Sequence, residues 1–180
     1  SALFNDFLVK GYSSVTLSSV SQGNFSELLQ AKLCLGTLIT LYDDFADRPA
    51  QSNPQLLEIL YQLTFGRSDL IRSLNPHDRG VLGVAQSLFA EMEEILNRLP
   101  HYFQLSEILN FDLSQFYSAN QFSSLLMANP YINNPLENRL YGHHNMGMVM
   151  VAMMDLMATD RIEFSEFGDM REVFLMGQRM

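Results

Sequence analysis

The chain has 180 residues, enough for one globular domain with a core of its own. Hydrophobic residues make up 47% and charged residues 17%, and 20 acidic side chains against 11 basic ones leave a net charge of −9. That balance excludes global disorder, and it supplies no basic stripe to track the phosphates of a nucleic acid. The single cysteine, Cys34, excludes a disulfide framework within the chain, and no run reaches the roughly 18 apolar residues of a membrane span. The opening SALFNDFLVK lacks the basic-then-apolar layout of a secretory signal. A reducing, cytoplasmic location is the expectation.

The hydrophobic pattern is helical almost throughout. Asn24 or Ser26 is placed to cap a first helix running to about Arg48, with Leu28, Leu29, Leu33, Leu35, Leu38, Ile39 and Tyr42 at three- and four-residue steps. Pro49 ends it. Asn53-Pro54 opens a second helix that closes near Gly66, and Asn75-Pro76 a third whose stripe is Val81, Leu82, Val84, Ala85, Leu88, Phe89, Met92, Ile95 and Leu96. A fourth spans about Ser106 to Ala128, a fifth about Pro135 to Ala158, and a sixth starts near Ser165. Only Ser14–Ser19, around Val15, Thr16 and Leu17, has any strand-like alternation, and it is short. Short, proline-marked connections suit an antiparallel all-α fold in one domain, residues 1–180. The final GQRM is neither cap nor tail, so a domain incomplete at its ends is expected.

The first long helix finishes as LITLYDDFADRP, with Asp43, Asp44 and Asp47 inside five residues. Spacings of three and four put these side chains on one helix face. The C-terminal end of a helix is already partially negative, so each exposed aspartate there is misplaced by roughly 0.3–1 kcal/mol. The carboxylates also repel one another, and only Arg48 adjoins them in sequence. An arrangement that disfavours itself points to a missing cation. Clustered hard oxygen ligands suit Mg²⁺, which takes one or two carboxylates, keeps waters and shares substrate phosphate oxygens. The uncharged run Leu33–Tyr42 leads into the cluster, which is expected at the mouth of an apolar core.

DDxxD after an apolar helix, in an all-α chain, resembles the class I terpene synthases and the related trans-prenyl diphosphate synthases. The resemblance is specific at YDDFAD and, in helical order, extends over most of the 180 residues. It implies an antiparallel helical bundle of the class I isoprenoid synthase type. It implies Mg²⁺ held by Asp43 and Asp47, with Asp44 a ligand or its immediate partner. The implied activity is a lyase reaction: a prenyl diphosphate, farnesyl or geranylgeranyl, is ionised and the allylic carbocation cyclises or rearranges in an apolar pocket. Ile39 and Thr40 would then line the cavity beneath the metal. Phe116 and Tyr117 would offer aromatic faces to a cation. Met146 and Met150 belong to a methionine stripe with Met153 and Met157 on the fifth helix, where Gly142 and Gly147 suggest a break or a close approach. Arg139 is the candidate diphosphate sensor, able to grip phosphate bidentately. A homodimer is left open.

The family's second metal motif, of (N/D)DxxSxxxE type, is not found; NFDLSQFYS from Asn110 lacks its spacing and its closing glutamate. Prenyl diphosphate synthases usually follow their first cluster with paired arginines, and here only Arg48 follows. A non-catalytic helical interaction domain is the third reading, with an acidic turn that meets a basic partner or nothing. Adjacent His143 and His144 point about 100° apart on a helix and suit no shared ion. An EF-hand ending at Glu163 would need Met157 to be glycine, and no P-loop or GxSxG occurs.

Overall fold

The computed structural model of the chain describes residues 8–47, 54–128, 147–162, 165 and 167–179. Among them are seven α-helices: α1 (Lys10–Val15), α2 (Gln22–Asp47), α3 (Pro54–Leu63), α4 (Pro76–Leu96), α5 (Tyr102–Ala128), α6 (Gly147–Met157) and α7 (Phe167–Arg179). A 3₁₀ turn, Ser68–Ser73, links α3 to α4. The all-α expectation holds among the described residues, where the only β pairing is an isolated bridge between Val20 and Thr159. Ser14 and Val15, the start of the one stretch with strand-like alternation, close the short helix α1 instead.

Local chemistry sets the boundaries. Asn75 caps α4 by accepting from the Asp78 N–H at 2.9 Å, and Pro76 takes the first turn, where its missing N–H costs nothing. The Arg79 guanidinium closes the preceding turn on the carbonyls of Arg72 (3.0 Å) and Leu74 (2.9 Å). Helix α2 begins at Gln22, ahead of both predicted caps. Asn24 instead donates its amide to the Ala158 carbonyl at 3.1 Å, which ties the start of α2 to the end of α6.

Helix α2 is the central element and packs on α1, α3, α4, α5 and α6. Its buried stripe is Leu28, Ala31, Lys32, Leu35, Leu38, Tyr42 and Ala46. Leu29, Leu33 and Ile39, predicted in that stripe, are half-buried flanks. Helix α6 is buried on every side from Val149 to Met157, so Met150, Met153 and Met157 fill core, as adaptable side chains do. The stripe predicted for α4 is reproduced at Leu82, Ala85, Phe89, Met92, Ile95 and Leu96, whereas Val84 faces solvent.

The contacts also fix direction. Leu35 of α2 shares a cavity with Leu109 and Leu113 of α5, and Tyr42 meets Phe116, in the same order along both, so these two helices run parallel. Helix α4 runs against α2: Gln30 meets Glu91, and Glu27 meets Arg98 at 3.1 Å. Helix α6 also runs against both, since its end lies by Asn24 and by His101, whose N–H donates to the Met157 carbonyl at 3.1 Å. The C-terminal ends of α2 and α5 and the N-terminal end of α6 therefore share one end of the bundle.

One fully buried ion pair and one with a half-buried arginine link the helices. Lys32 and Asp155 join α2 to α6 with side chains 0% and 1% exposed. The Lys32 ammonium also donates to Thr16 Oγ1 at 2.9 Å, and the Leu17 N–H donates to Asp155 at 3.1 Å. Burial pushes Lys32 down and Asp155 up, against the mutual attraction that holds both charged. Asp112 of α5, fully buried, receives both guanidinium nitrogens of Arg171 of α7, one of them at 2.7 Å. One turn along the same face of α2 as Lys32, the Tyr12 ring rests on Gly36.

Candidate functional site: the aspartate end of α2

The last two turns of α2 have two faces. Leu38, Tyr42 and Ala46 point inward and are at most 1% exposed. Thr40, Asp43, Asp44 and Asp47, offset by one position, are exposed together. The charges thus lie beside the apolar core, on the face away from it. The uncharged run before them is explained by the inward stripe and by half-buried Ile39 and Leu41. Asp43 titrates above the ordinary carboxylate value, first because its carboxyl is partly desolvated and second because Asp47 stands near it with like charge. Among the described residues no three His, Cys, Asp or Glu side chains converge closely enough to hold a metal ion. Asp43 and Asp47 can approach one cation from their shared face, and its other ligands must come from beyond α2.

The predicted pocket residues divide. Phe116 is fully buried and meets Tyr42 edge to face, with centroids 5.5 Å apart. The Tyr42 hydroxyl beneath the aspartate turn is buried with no hydrogen-bond partner among the described residues. Tyr117 turns to α3, where its ring stacks on Tyr61 at 4.1 Å and its hydroxyl donates to Glu58. Gln121 in turn donates to that hydroxyl. Burial first, and then Glu58, push the Tyr117 phenol far up, so it is a fixed hydrogen-bonding group at any ordinary pH. Ile39 is half-buried, and exposed Thr40 donates its hydroxyl to the Gly36 carbonyl at 2.8 Å.

A cavity of about 330 Å³ opens between α4 and α5. Of the predicted pocket residues that are among the described residues, only Met150 lines it. Its floor is Leu35, Phe89, Leu109 and Leu113. Leu35 lies eight residues before Asp43, about 12 Å along the helix at 1.5 Å per residue. The cavity is therefore separate from the aspartate face.

Arg139, Met146, His143 and His144 lie outside the described residues. The helix ends that flank them, Ala128 and Gly147, are at the end of the bundle where α2 finishes. Asp112, inside the rejected NFDLSQFYS match, is already committed to Arg171 and is not free for a metal.

Sequence reasoning missed Lys32, Asp155 and Asp112 as buried charges. One signal was available: each is a lone charge in phase with an apolar stripe, Lys32 between Leu28 and Leu35, and Asp112 between Leu109 and Phe116. The Glu58–Tyr117 pairing had no such signal, because Glu58 suits an exposed surface and Tyr117 is predicted to face the pocket.

No family model matches the chain, nor does any curated protein or any solved structure.

Proposed function

We propose that this chain carries the aspartate-rich half of the metal site of a Mg²⁺-dependent class I terpene synthase of the isoprenoid synthase fold. Such an enzyme ionises a prenyl diphosphate and cyclises or rearranges the carbocation. The observation that carries this reading is the shared exposed face of Asp43 and Asp47, two carboxylates close enough for one to raise the pKa of the other. A divalent cation between them would relieve that repulsion. Bound Mg²⁺ would supply charge neutralisation for a departing diphosphate. Asp43 and Asp47 would hold and orient the metal, Asp44 would support them, and Arg139 would meet the diphosphate oxygens. Phe116 and Met150 supply an apolar, aromatic interior that excludes water, and Ile39 flanks it.

The test is calorimetric titration with a non-hydrolysable farnesyl diphosphate analogue, with and without Mg²⁺, on the chain and on Asp43→Asn. Binding that requires Mg²⁺ and falls at least tenfold in the variant is expected. Mg²⁺-independent binding, or none in a chain extended beyond residue 180, would sink the enzyme reading.

A trans-prenyl diphosphate synthase shares the ionisation step and would differ by coupling to isopentenyl diphosphate; the lack of paired arginines after Asp47 counts against it. The aspartates' exposure, with no preformed metal cluster among the described residues, favours a second reading: a non-catalytic helical domain that meets a basic partner through this turn. That reading predicts no affinity for diphosphates at any Mg²⁺ concentration.

A further inference from the structure

Apart from Met150 at its wall, the cavity between α4 and α5 has no part in the function proposed above. Its floor is apolar, from Leu35, Leu63, Phe89, Leu96, Leu109 and Leu113, and its volume of about 330 Å³ lies at the lower end of small-molecule pockets. Its polar lining is Thr64, Gln86, Glu93, Tyr102, Ser106 and Asn110. Among these the Tyr102 hydroxyl donates to the Glu93 carboxylate, and Ser106 and Asn110 stand one and two turns further along α5. Partial burial, Glu93 and then Glu107 push the Tyr102 phenol up to about 12. Two carboxylates therefore act on this hydroxyl, and neither has a cationic partner among the described residues. The nearest arginine in sequence, Arg98, is committed to Glu27 (3.1 Å) and Glu94 (3.2 Å). An apolar cavity whose rim carries uncompensated negative charge favours a ligand with an apolar body and a cationic head.

We infer that the α4–α5 cavity is a binding site for a small amphipathic amine, its hydrocarbon body on the Leu35–Phe89–Leu113 floor and its ammonium on Glu93 beside Tyr102. A neutral alcohol of the same length keeps the apolar contact and loses the charge-assisted one. A carboxylate meets Glu93 and Glu107 as like charges. The inference is independent of the aspartate face and of Mg²⁺.

Three probes of one chain length test it by calorimetry: n-octylamine, n-octanol and octanoate. The amine should bind at least tenfold more tightly than the alcohol, and octanoate should not bind. Glu93→Gln should remove the preference for the amine and leave the weak alcohol binding. Ala90 is exposed on α4 and lines the cavity, so Ala90→Trp fills the mouth without touching the core and should abolish binding of all three. Far-ultraviolet circular dichroism and the melting temperature confirm that each variant is folded. The inference fails if octylamine does not bind, if octanol binds equally well, or if amine binding survives Ala90→Trp.

Discussion

Gly36 sets two effects of opposite sign against each other. It lies in the middle of α2, where replacing glycine by alanine gains about 0.8–1.0 kcal/mol of helix propensity. A Cβ added there would stand 2.7 and 2.9 Å from Cε2 and Cζ of Tyr12, well inside contact distance. The ring must then swing off α2. Tyr12 is half-buried against the core, and overpacking of this kind costs about 1–3 kcal/mol. Gly36→Ala is thus expected to destabilise by about 1 kcal/mol net, because the packing loss outweighs the propensity gain. In a Tyr12→Ala background the obstacle is gone, and the same substitution should stabilise by about 1 kcal/mol. Urea melts of the four proteins, followed at 222 nm, give the cycle directly. Equal stabilisation by Gly36→Ala in both backgrounds would show that Tyr12 does not rest on α2, and the attachment of α1 would have to be redrawn.

Lys32→Met should cost about 3–5 kcal/mol by stranding Asp155 in the core, while Lys32→Met with Asp155→Leu should recover most of it; denaturant melts of the single and double variants decide. Cys34 is buried and its thiol is raised to about 11, first by burial and then by Glu91. At pH 8 only about one thiol in a thousand is ionised, so reaction with a disulfide reagent should be slow in the folded chain and fast in urea. Tyr117→Phe should lose about 1–2 kcal/mol with the hydrogen bond to Glu58, and Glu58→Gln should lose less, because its amide still accepts. Asp43 has a folded pKa above its unfolded one, so the folded state holds that proton more tightly. Its contribution to stability is full below the unfolded value of about 3.9 and declines as pH rises through the folded value. Asp47→Asn should flatten that decline in melts taken across the acid range.

Helices α2 to α5 were legible because their apolar residues keep a 3.6-residue period between proline and asparagine markers. What periodicity could not give was the rotation of α2 at its end. The same run, LITLYDDFAD, is compatible with aspartates facing a cavity or facing away from it, and one helical position separates the two. The inward phase of Tyr42 and Ala46 decides it, and that phase depends on Phe116 some 70 residues away in sequence. Helix α1 escaped notice because Ser13, Ser14 and Val15 are poor helix formers. Its serines satisfy themselves locally, each hydroxyl donating to the carbonyl four residues back, both at 2.7 Å. The buried charges escaped for a related reason: a single lysine or aspartate in an apolar helix reads as an edge until its partner on another helix is known.

The parallel course of α2 and α5 has an electrical consequence. Two long helices of 26 and 27 residues present their carbonyl ends at the same pole of the bundle, and one of them adds three carboxylates. Those carboxylates favour divalent cations over free polyanions at that pole, offset in part by the N-terminal end of α6 that shares it. Any phosphorylated molecule that settles there must arrive with its counter-ions or after them. The association rate of such a molecule should then depend on the order of addition in rapid-mixing experiments, cation first being the faster route, and its affinity should weaken steeply as monovalent salt screens the pole.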